Sequence, residues 1–112
     1  MQGLVYVLQS DTFGAHCKVG FAADKLNVEK RRKAAGNPHE GFVIYHTRDA
    51  SLGFEQYFHR RFKRHFSAFL TKREEFYNIS GEAAKDLVED WFIRWVRSGK
   101  RRARRRRNGR SD

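Results

Sequence analysis

The chain has 112 residues, a net charge of +11, 39% hydrophobic residues and a single cysteine. This length suits one small domain with at most a short appendage. The single Cys17 excludes an intramolecular disulfide, and no apolar run approaches the length that spans a membrane. No signal-peptide pattern opens the chain, so we expect an intracellular, cytoplasmic protein.

The positive charge is concentrated at the carboxyl end of the chain. Residues 99–112 carry +7 of the net charge and residues 1–98 carry +4. We therefore divide the chain into a folded domain, residues 1–98, and an arginine-rich tail, residues 99–112. The tail lacks apolar content to fold around, so it should be disordered without a partner. The tail residues expected to bind nucleic acid are Lys100, Arg101, Arg102, Arg104, Arg105, Arg106, Arg107 and Arg110.

A phosphate backbone is the natural partner of so basic a chain. We expect DNA as the partner, with RNA as the alternative, and no membrane. The sequence does not specify an oligomeric state.

The amino-terminal half predicts a hairpin, a short helix and a third strand. Residues 4–8 are apolar at successive positions, as in a central strand buried on both faces, and residues 16–21 suit its antiparallel partner. Asn27 is the expected N-cap of a helix through Ala35. Residues 42–46 suit the third strand.

The carboxyl-terminal half predicts two helices around a short extended segment. The first helix should open near Ala50 or Ser51 and run to about His65, with residues 67–73 as a loop. Residues 76–79 suit an edge strand or extended segment, and Ser80 can cap a last helix that ends near residue 98. The result is an α+β domain in the order ββα-β-α-β-α. The aromatic face of the first of these helices comprises Phe54, Tyr57, Phe58, Phe62, Phe66 and Phe69.

Glu55 lies inside this aromatic face, and His59 lies at its rim one turn later. A carboxylate on a buried face is costly unless it is paired with a cation or holds a metal. On the helix alone, an ion pair with a nearby Arg or Lys and a metal ligand explain Glu55 equally well.

The remaining polar groups suit phosphodiester hydrolysis. That reaction needs a metal against developing charge, a cation on the phosphate and a group that orients or deprotonates water. Glu55 can hold Mg²⁺ (or Mn²⁺), Arg31 can hold a phosphate oxygen, and Tyr6 can act on the water. Arg32 competes with Arg31, because either arginine can face the sheet. The sequence contains no zinc-ligand spacing, glycine-rich phosphate loop or nucleophile elbow.

Six segments, in this order and spacing, resemble the GIY-YIG nuclease superfamily. The closer match is the phage and bacterial branch whose second motif reads Lys-Ile/Val-Gly. The resemblance implies a small three-stranded antiparallel sheet flanked by helices and one-metal, Mg²⁺-dependent cleavage of a DNA strand. The matching segments are 4–8, 18–21, 28–31, 36–39, 54–62 and 75–77.

The resemblance also assigns roles to individual residues. Tyr6 corresponds to the first-motif tyrosine, a general base or water-orienting group, and Arg31 to the arginine that contacts the scissile phosphate. Glu55 corresponds to the single metal-binding glutamate. His59 is expected to be outside the metal ligands or structural, although it can reach the same cleft.

Lys18 departs from the family pattern, because it stands where the second tyrosine would be. A lysine there can contact phosphate, as we also expect of Arg32, or favour the Tyr6 phenolate. Glu75 is expected to serve structure, and Asn78 is a weak site candidate.

Two functions follow from these observations. The first is a DNA endonuclease whose tail adds non-specific affinity for nucleic acid. The alternative is a catalytically inactive DNA- or RNA-binding protein that keeps the GIY-YIG-like fold.

Overall fold

A computed structural model describes the backbone of residues 1–110 and the side chains through residue 99. The described chain is an α+β domain with a four-stranded antiparallel sheet of strand order β3-β1-β2-β4. The helices are α1 (Lys25–Ala35), α2 (Leu52–His65) and α3 (Gly81–Arg110), and a 3₁₀ turn spans Ser67–Phe69. The strands are β1 (Gln2–Ser10), β2 (Cys17–Ala22), β3 (Phe42–Ser51) and β4 (Phe76–Tyr77).

The predicted element order ββα-β-α-β-α is confirmed, whereas the expected three-stranded sheet is wrong. The fourth strand is β4, whose two residues pair with Cys17 and Lys18 at the outer edge of β2. Two residues are too few to show the alternating pattern of a strand, so β4 is recognised only from its pairing with β2 in the structure.

Strand β1 is central because its residues are apolar on both faces. Val5 and Val7 pack in a core built with α2 and α3, while Tyr6 and Leu8 pack in a smaller core with α1. Antiparallel neighbours flank β1 on both sides. The prediction of a strand buried on both faces is confirmed, and it fixes Tyr6 on the face that α1 covers.

Helix α1 begins three residues earlier than predicted. Its N-cap is Asp24, whose carboxylate accepts a hydrogen bond from the backbone N–H of Asn27 at 2.9 Å. An aspartate in this position satisfies an otherwise free amide of the first turn, so Asn27 lies inside the helix. Val28 and Ala35 are buried against the sheet.

Helix α2 follows the prediction closely. Ser51 is its N-cap, accepting a hydrogen bond from the backbone N–H of Phe54 at 3.1 Å, and the buried side chains of Phe58 and Phe62 continue the aromatic face. The chain leaves the helix after His65, and Phe69 is 43% exposed. Phe69 therefore does not belong to the buried face on which the helical projection placed it.

Helix α3 is longer than predicted. The backbone N–H of Ala83 donates to the Ser80 hydroxyl at 3.1 Å, which confirms the predicted cap. The helix continues without interruption through Arg110, so the expectation of a disordered tail is wrong for the backbone. Arginine and lysine favour helix, and extending an existing helix requires no new nucleation.

The side chains of the basic tail and residues 111–112 lie outside the described part of the chain. The predicted nucleic-acid contacts of the tail, from Lys100 to Arg110, therefore stay predictions, as does the domain boundary at residue 98. No described helix combines the length and the apolar character needed to cross a membrane.

Candidate functional site

Glu55 is buried although it carries a carboxylate. Only 8% of the residue is exposed, because Phe54 and Phe58 draw the first turns of α2 into the core. Its nearest described ionisable contact is His59, whose Nε2 lies 3.6 Å from Oε1. No Arg or Lys forms an ion pair with Glu55 in the described part of the chain, so the ion-pair explanation finds no partner there.

Glu55, His59 and Glu75 form a cluster of three potential ligands. One carboxylate oxygen from each glutamate and one ring nitrogen all lie within 4.8 Å of one another. The first two residues are one turn apart on α2, and Glu75 comes from the turn before β4. Carboxylate oxygens are the protein ligands that Mg²⁺ prefers, and imidazole is accepted by Mn²⁺ and later transition metals. This donor set fits a divalent cation.

His59 enters this cluster with one nitrogen free. Its Nδ1 is hydrogen-bonded to the Tyr77 hydroxyl, whereas its Nε2 is buried without a hydrogen-bond partner among the described residues. Burial lowers the pKa of His59 to about 4, and the charge of Lys18 acts in the same direction. The imidazole is therefore neutral at physiological pH and has a nitrogen available to a ligand.

Burial disfavours the charge of both carboxylates in the cluster. Burial raises the pKa of Glu55 to about 7, the negative charge of Glu75 adds to this, and Lys18 opposes it. Burial also raises the pKa of Glu75, against the effects of Lys18 and Arg31. A cation between the carboxylates would relieve both penalties.

Tyr6 lies beside this cluster on the face of the sheet that α1 covers. Its phenol packs directly over Gly20, where a Cβ would overlap the hydroxyl group. The glycine of the Lys-Val-Gly segment is therefore needed for close approach of the Tyr6 ring. Tyr6 is 1% exposed, so its ring is enclosed by the surrounding side chains.

Tyr6 and Lys18 do not form the phenolate pair that the sequence allowed. Burial raises the pKa of Tyr6 to about 12, Glu75 and Glu55 add to the effect, and Arg31 opposes it. Lys18 Nζ lies 5.8 Å from the Tyr6 ring centre and 3.9 Å from Glu75 Oε2. Lys18 is thus a counter-ion of Glu75, and the Tyr6 phenol stays protonated.

The two arginines of α1 have different environments. Arg32 is ion-paired with Glu29 and donates a hydrogen bond to the Phe42 carbonyl oxygen at 3.2 Å. Arg31 is exposed and forms no ion pair within the described residues, and its charge acts on Tyr6, Lys18 and Glu75. Arg31 is therefore the arginine beside the cluster, and Arg32 is engaged in holding α1 to β3.

Sequence reasoning missed Glu75 and Tyr77 as parts of the site. The Glu-Phe-Tyr segment was recognised, but its position depends on the pairing of β4 with β2, which brings Phe76 opposite Lys18. Asn78 is exposed and does not belong to the three-ligand cluster. Two members of the cluster, His59 and Glu75, line a cavity of about 380 Å³ whose walls also include Lys63 and Arg73.

The sequence matches the T5orf172 domain over residues 3–95, a range that includes every residue of the cluster and its neighbours Tyr6, Lys18 and Arg31. No curated protein and no solved structure is significantly similar to the chain. The chain therefore belongs to the T5orf172 domain family, which is associated with endonuclease-type proteins.

Proposed function

We propose that the chain is a metal-dependent endonuclease of GIY-YIG type that hydrolyses phosphodiester bonds in DNA. The observation that carries this proposal is Glu55, a carboxylate only 8% exposed that makes no ion pair with a described Arg or Lys. An unpaired buried carboxylate destabilises the folded state unless a cation binds to it. The family association with endonuclease-type proteins supports the same function.

Glu55 is the residue that would hold Mg²⁺ (or Mn²⁺). When bound, the ion would neutralise the charge that develops on the scissile phosphate. The surrounding aromatic residues fix the helix that carries Glu55, so the carboxylate stays in place without a bound ion. This rigidity reduces the reorganisation needed when substrate arrives.

Two cations of the chain would bind the phosphate group. Arg31 is exposed beside the cluster, and its planar guanidinium suits two phosphate oxygens at once. Lys18 lies next to Glu75 with 13% of its side chain exposed, and it can contribute a third hydrogen-bond donor. Lys63 and Arg73 in the cavity wall extend the positive surface along the path of the strand.

Tyr6 would position the water that attacks the phosphorus. Because the phenol stays protonated in the unliganded protein, its Oη–H can donate a hydrogen bond and its oxygen can accept one from water. The ring is buried and lies directly over Gly20, which defines the position of the hydroxyl. Orientation of this kind contributes to catalysis without transfer of the phenolic proton.

The test is plasmid nicking by the purified full-length chain with Mg²⁺ or Mn²⁺. Wild type should convert supercoiled plasmid to the nicked form, and Glu55→Gln should not. Glu82→Gln removes an exposed carboxylate at the start of α3 and should nick like wild type. Thermal unfolding of both variants checks the fold, and Glu55→Gln should be no less stable because it removes a buried charge.

The alternative is a catalytically inactive nucleic-acid-binding protein. It is favoured by Lys18 at the position of the second tyrosine and by the raised pKa of Tyr6, which opposes a general base. Binding of DNA or RNA without nicking in either metal would support this function and refute the enzyme. Nicking that depends on Glu55 would refute the alternative.

A further inference from the structure

We propose that Glu75 is a second carboxylate ligand, so that a divalent cation binds between helix α2 and the turn that precedes β4. The inference deepens the proposed function, since it concerns the same ion. It departs from the single metal-binding glutamate implied by the family resemblance, and from the structural role that the sequence suggested for Glu75.

The distances within the cluster suit one ion with ligands from both elements. The ligand atoms of Glu55, His59 and Glu75 lie within 4.8 Å of one another. Ligands on opposite sides of one Mg²⁺ are about 4.2 Å apart, because each bond is about 2.1 Å long. Small side-chain adjustments would therefore bring both carboxylates to one ion.

Two unpartnered groups show that the cluster is incomplete without a ligand. Glu55 is nine-tenths buried and accepts no described hydrogen bond, and Nε2 of His59 is buried without a partner among the described residues. Buried polar groups are almost always satisfied in folded proteins. A cation between them satisfies both, and Glu75 supplies the second negative charge.

The backbone at Glu75 is unusual for a side chain of this size. Its φ is 69°, in the left-handed region where glycine is the favoured residue. The Glu75 carbonyl oxygen accepts a hydrogen bond from the backbone N–H of Val19 at 2.9 Å, which fixes this conformation against β2. A glutamate kept at a position that suits glycine is consistent with a use for its carboxylate.

Lys18 is the present counter-ion of Glu75, with 3.9 Å between Nζ and Oε2. This distance is long for a charge-assisted hydrogen bond, so the pair is loose. A doubly charged ion on Glu75 would weaken the pair and leave the Lys18 ammonium free. Metal binding would thus release the lysine for the phosphate, which links the two parts of the site.

The experiment is titration of the full-length chain with Mn²⁺, followed by electron paramagnetic resonance of the free ion. Glu75→Gln should weaken Mn²⁺ binding by at least about tenfold. Glu74→Gln is the matched control, since it removes the same charge from the adjacent exposed residue. It should weaken binding by less than about threefold. Equal affinities of wild type and Glu75→Gln would overturn the proposal.

A second variant guards against loss of the fold. Glu75→Gly suits the left-handed backbone, so it should melt no lower than wild type and still lose Mn²⁺ affinity. The binding readout also separates this inference from the enzyme. Binding that depends on Glu75, without nicking, supports the second ligand and refutes the endonuclease. Nicking with unchanged binding in Glu75→Gln refutes the second ligand alone, and failure of wild type to bind Mn²⁺ refutes both.

Discussion

The hydroxyl of Tyr77 is hydrogen-bonded to Nδ1 of His59, and this bond joins the edge strand β4 to helix α2. The Tyr77 ring also stacks on Phe62 with 3.9 Å between ring centres, so the hydroxyl has a fixed position. With Nδ1 engaged, Nε2 of His59 lies 3.6 Å from Glu55. A residue of β4 thereby sets the orientation of an imidazole in the candidate metal site.

Tyr77→Phe keeps the aromatic ring and removes only the hydroxyl. Nδ1 of His59 would lose its hydrogen-bond partner, so we expect the free energy of unfolding to fall by about 1–2 kcal/mol. Mn²⁺ affinity should fall by about tenfold, because the imidazole is no longer held. Urea unfolding and Mn²⁺ titration measure the two effects. Tyr45→Phe, at a 43% exposed tyrosine, is the control, and a Tyr77→Phe protein that matches it in both measurements would contradict the prediction.

Substitution of the two arginines of α1 should change different properties, the nicking rate for Arg31 and the stability for Arg32. Arg31→Gln should slow plasmid nicking by about 10²-fold with little change in stability, because Arg31 is exposed and would contact the phosphate. Arg32→Gln should lower the free energy of unfolding slightly and leave nicking unchanged, because it removes the interactions with Glu29 and Phe42. Rates are compared at saturating DNA. The reverse pattern would reassign the phosphate contact to Arg32.

Gly20→Ala should destabilise the fold and displace Tyr6. The new methyl group would overlap a phenol that is itself buried, and overpacking of this kind costs about 1–3 kcal/mol. Gly14→Ala is the matched control, because no described atom lies within 4 Å of a Cβ there, and its effect should stay within about 0.5 kcal/mol. Urea unfolding distinguishes the two variants. Similar stabilities would show that the Tyr6 ring can move aside.

Glu40 should make stability depend on pH outside the metal site. Burial alone would raise the pKa of Glu40, but hydrogen bonds from Ser10 Oγ at 2.6 Å and His16 Nδ1 at 2.7 Å outweigh it and hold the pKa below 4.5. A carboxyl with a lower pKa when folded contributes stability above its unfolded pKa, and this contribution is lost as pH falls through the folded value. Stability of the wild type should therefore decline below about pH 4.5.

Glu40→Gln removes this contribution and tests its size. At pH 7 the variant should be less stable by about 1–2 kcal/mol, and the difference should shrink at pH 3, where the wild-type carboxyl becomes protonated. Urea unfolding at the two pH values measures the change. A difference that is the same at both pH values would show that Glu40 acts through packing and not through its charge.

Deletion of residues 100–112 should weaken DNA binding more than it slows turnover of bound DNA. Each phosphate that the tail neutralises on duplex DNA steepens the log–log salt dependence by about 0.9, so the deletion should make this dependence shallower. A full-length variant with the eight basic tail residues replaced by Gln separates charge from helix length, and it should behave like the deletion. Filter binding at several salt concentrations gives the slopes. Equal slopes for wild type and both variants would exclude the tail from binding.

The features that were predicted from sequence are those set by local pattern. The apolar run in β1 and the helical spacing of aromatic residues in α2 each specify an element and its buried face. The burial of Glu55 follows from its position on the aromatic face of α2. The residue pattern of α1 leaves the choice between Arg31 and Arg32 open, although adjacent helical positions are about 100° apart, and the family resemblance alone favours Arg31. Their environments depend on Glu29 and Phe42, the second of which lies in another element.

The position of Glu75 in the site could not be predicted from the local sequence either. It depends on the antiparallel pairing of β4 with β2, which joins segments that are far apart in the chain. The continuation of α3 through the basic tail differs from the sequence prediction, because the tail has little apolar content although arginine has a high helix propensity.

Strand β4 has a consequence for the dynamics of the chain. Its two residues are paired with β2 at two positions only, whereas Tyr6 and Glu55 are carried by the central strand and a helix buried in the core. Segments with few pairings open at lower free energy than the core. In native-state hydrogen exchange the amides of residues 75–77 should exchange well before those of β1, so Glu75, one of the three ligands of the cluster, can detach and return while the domain stays folded.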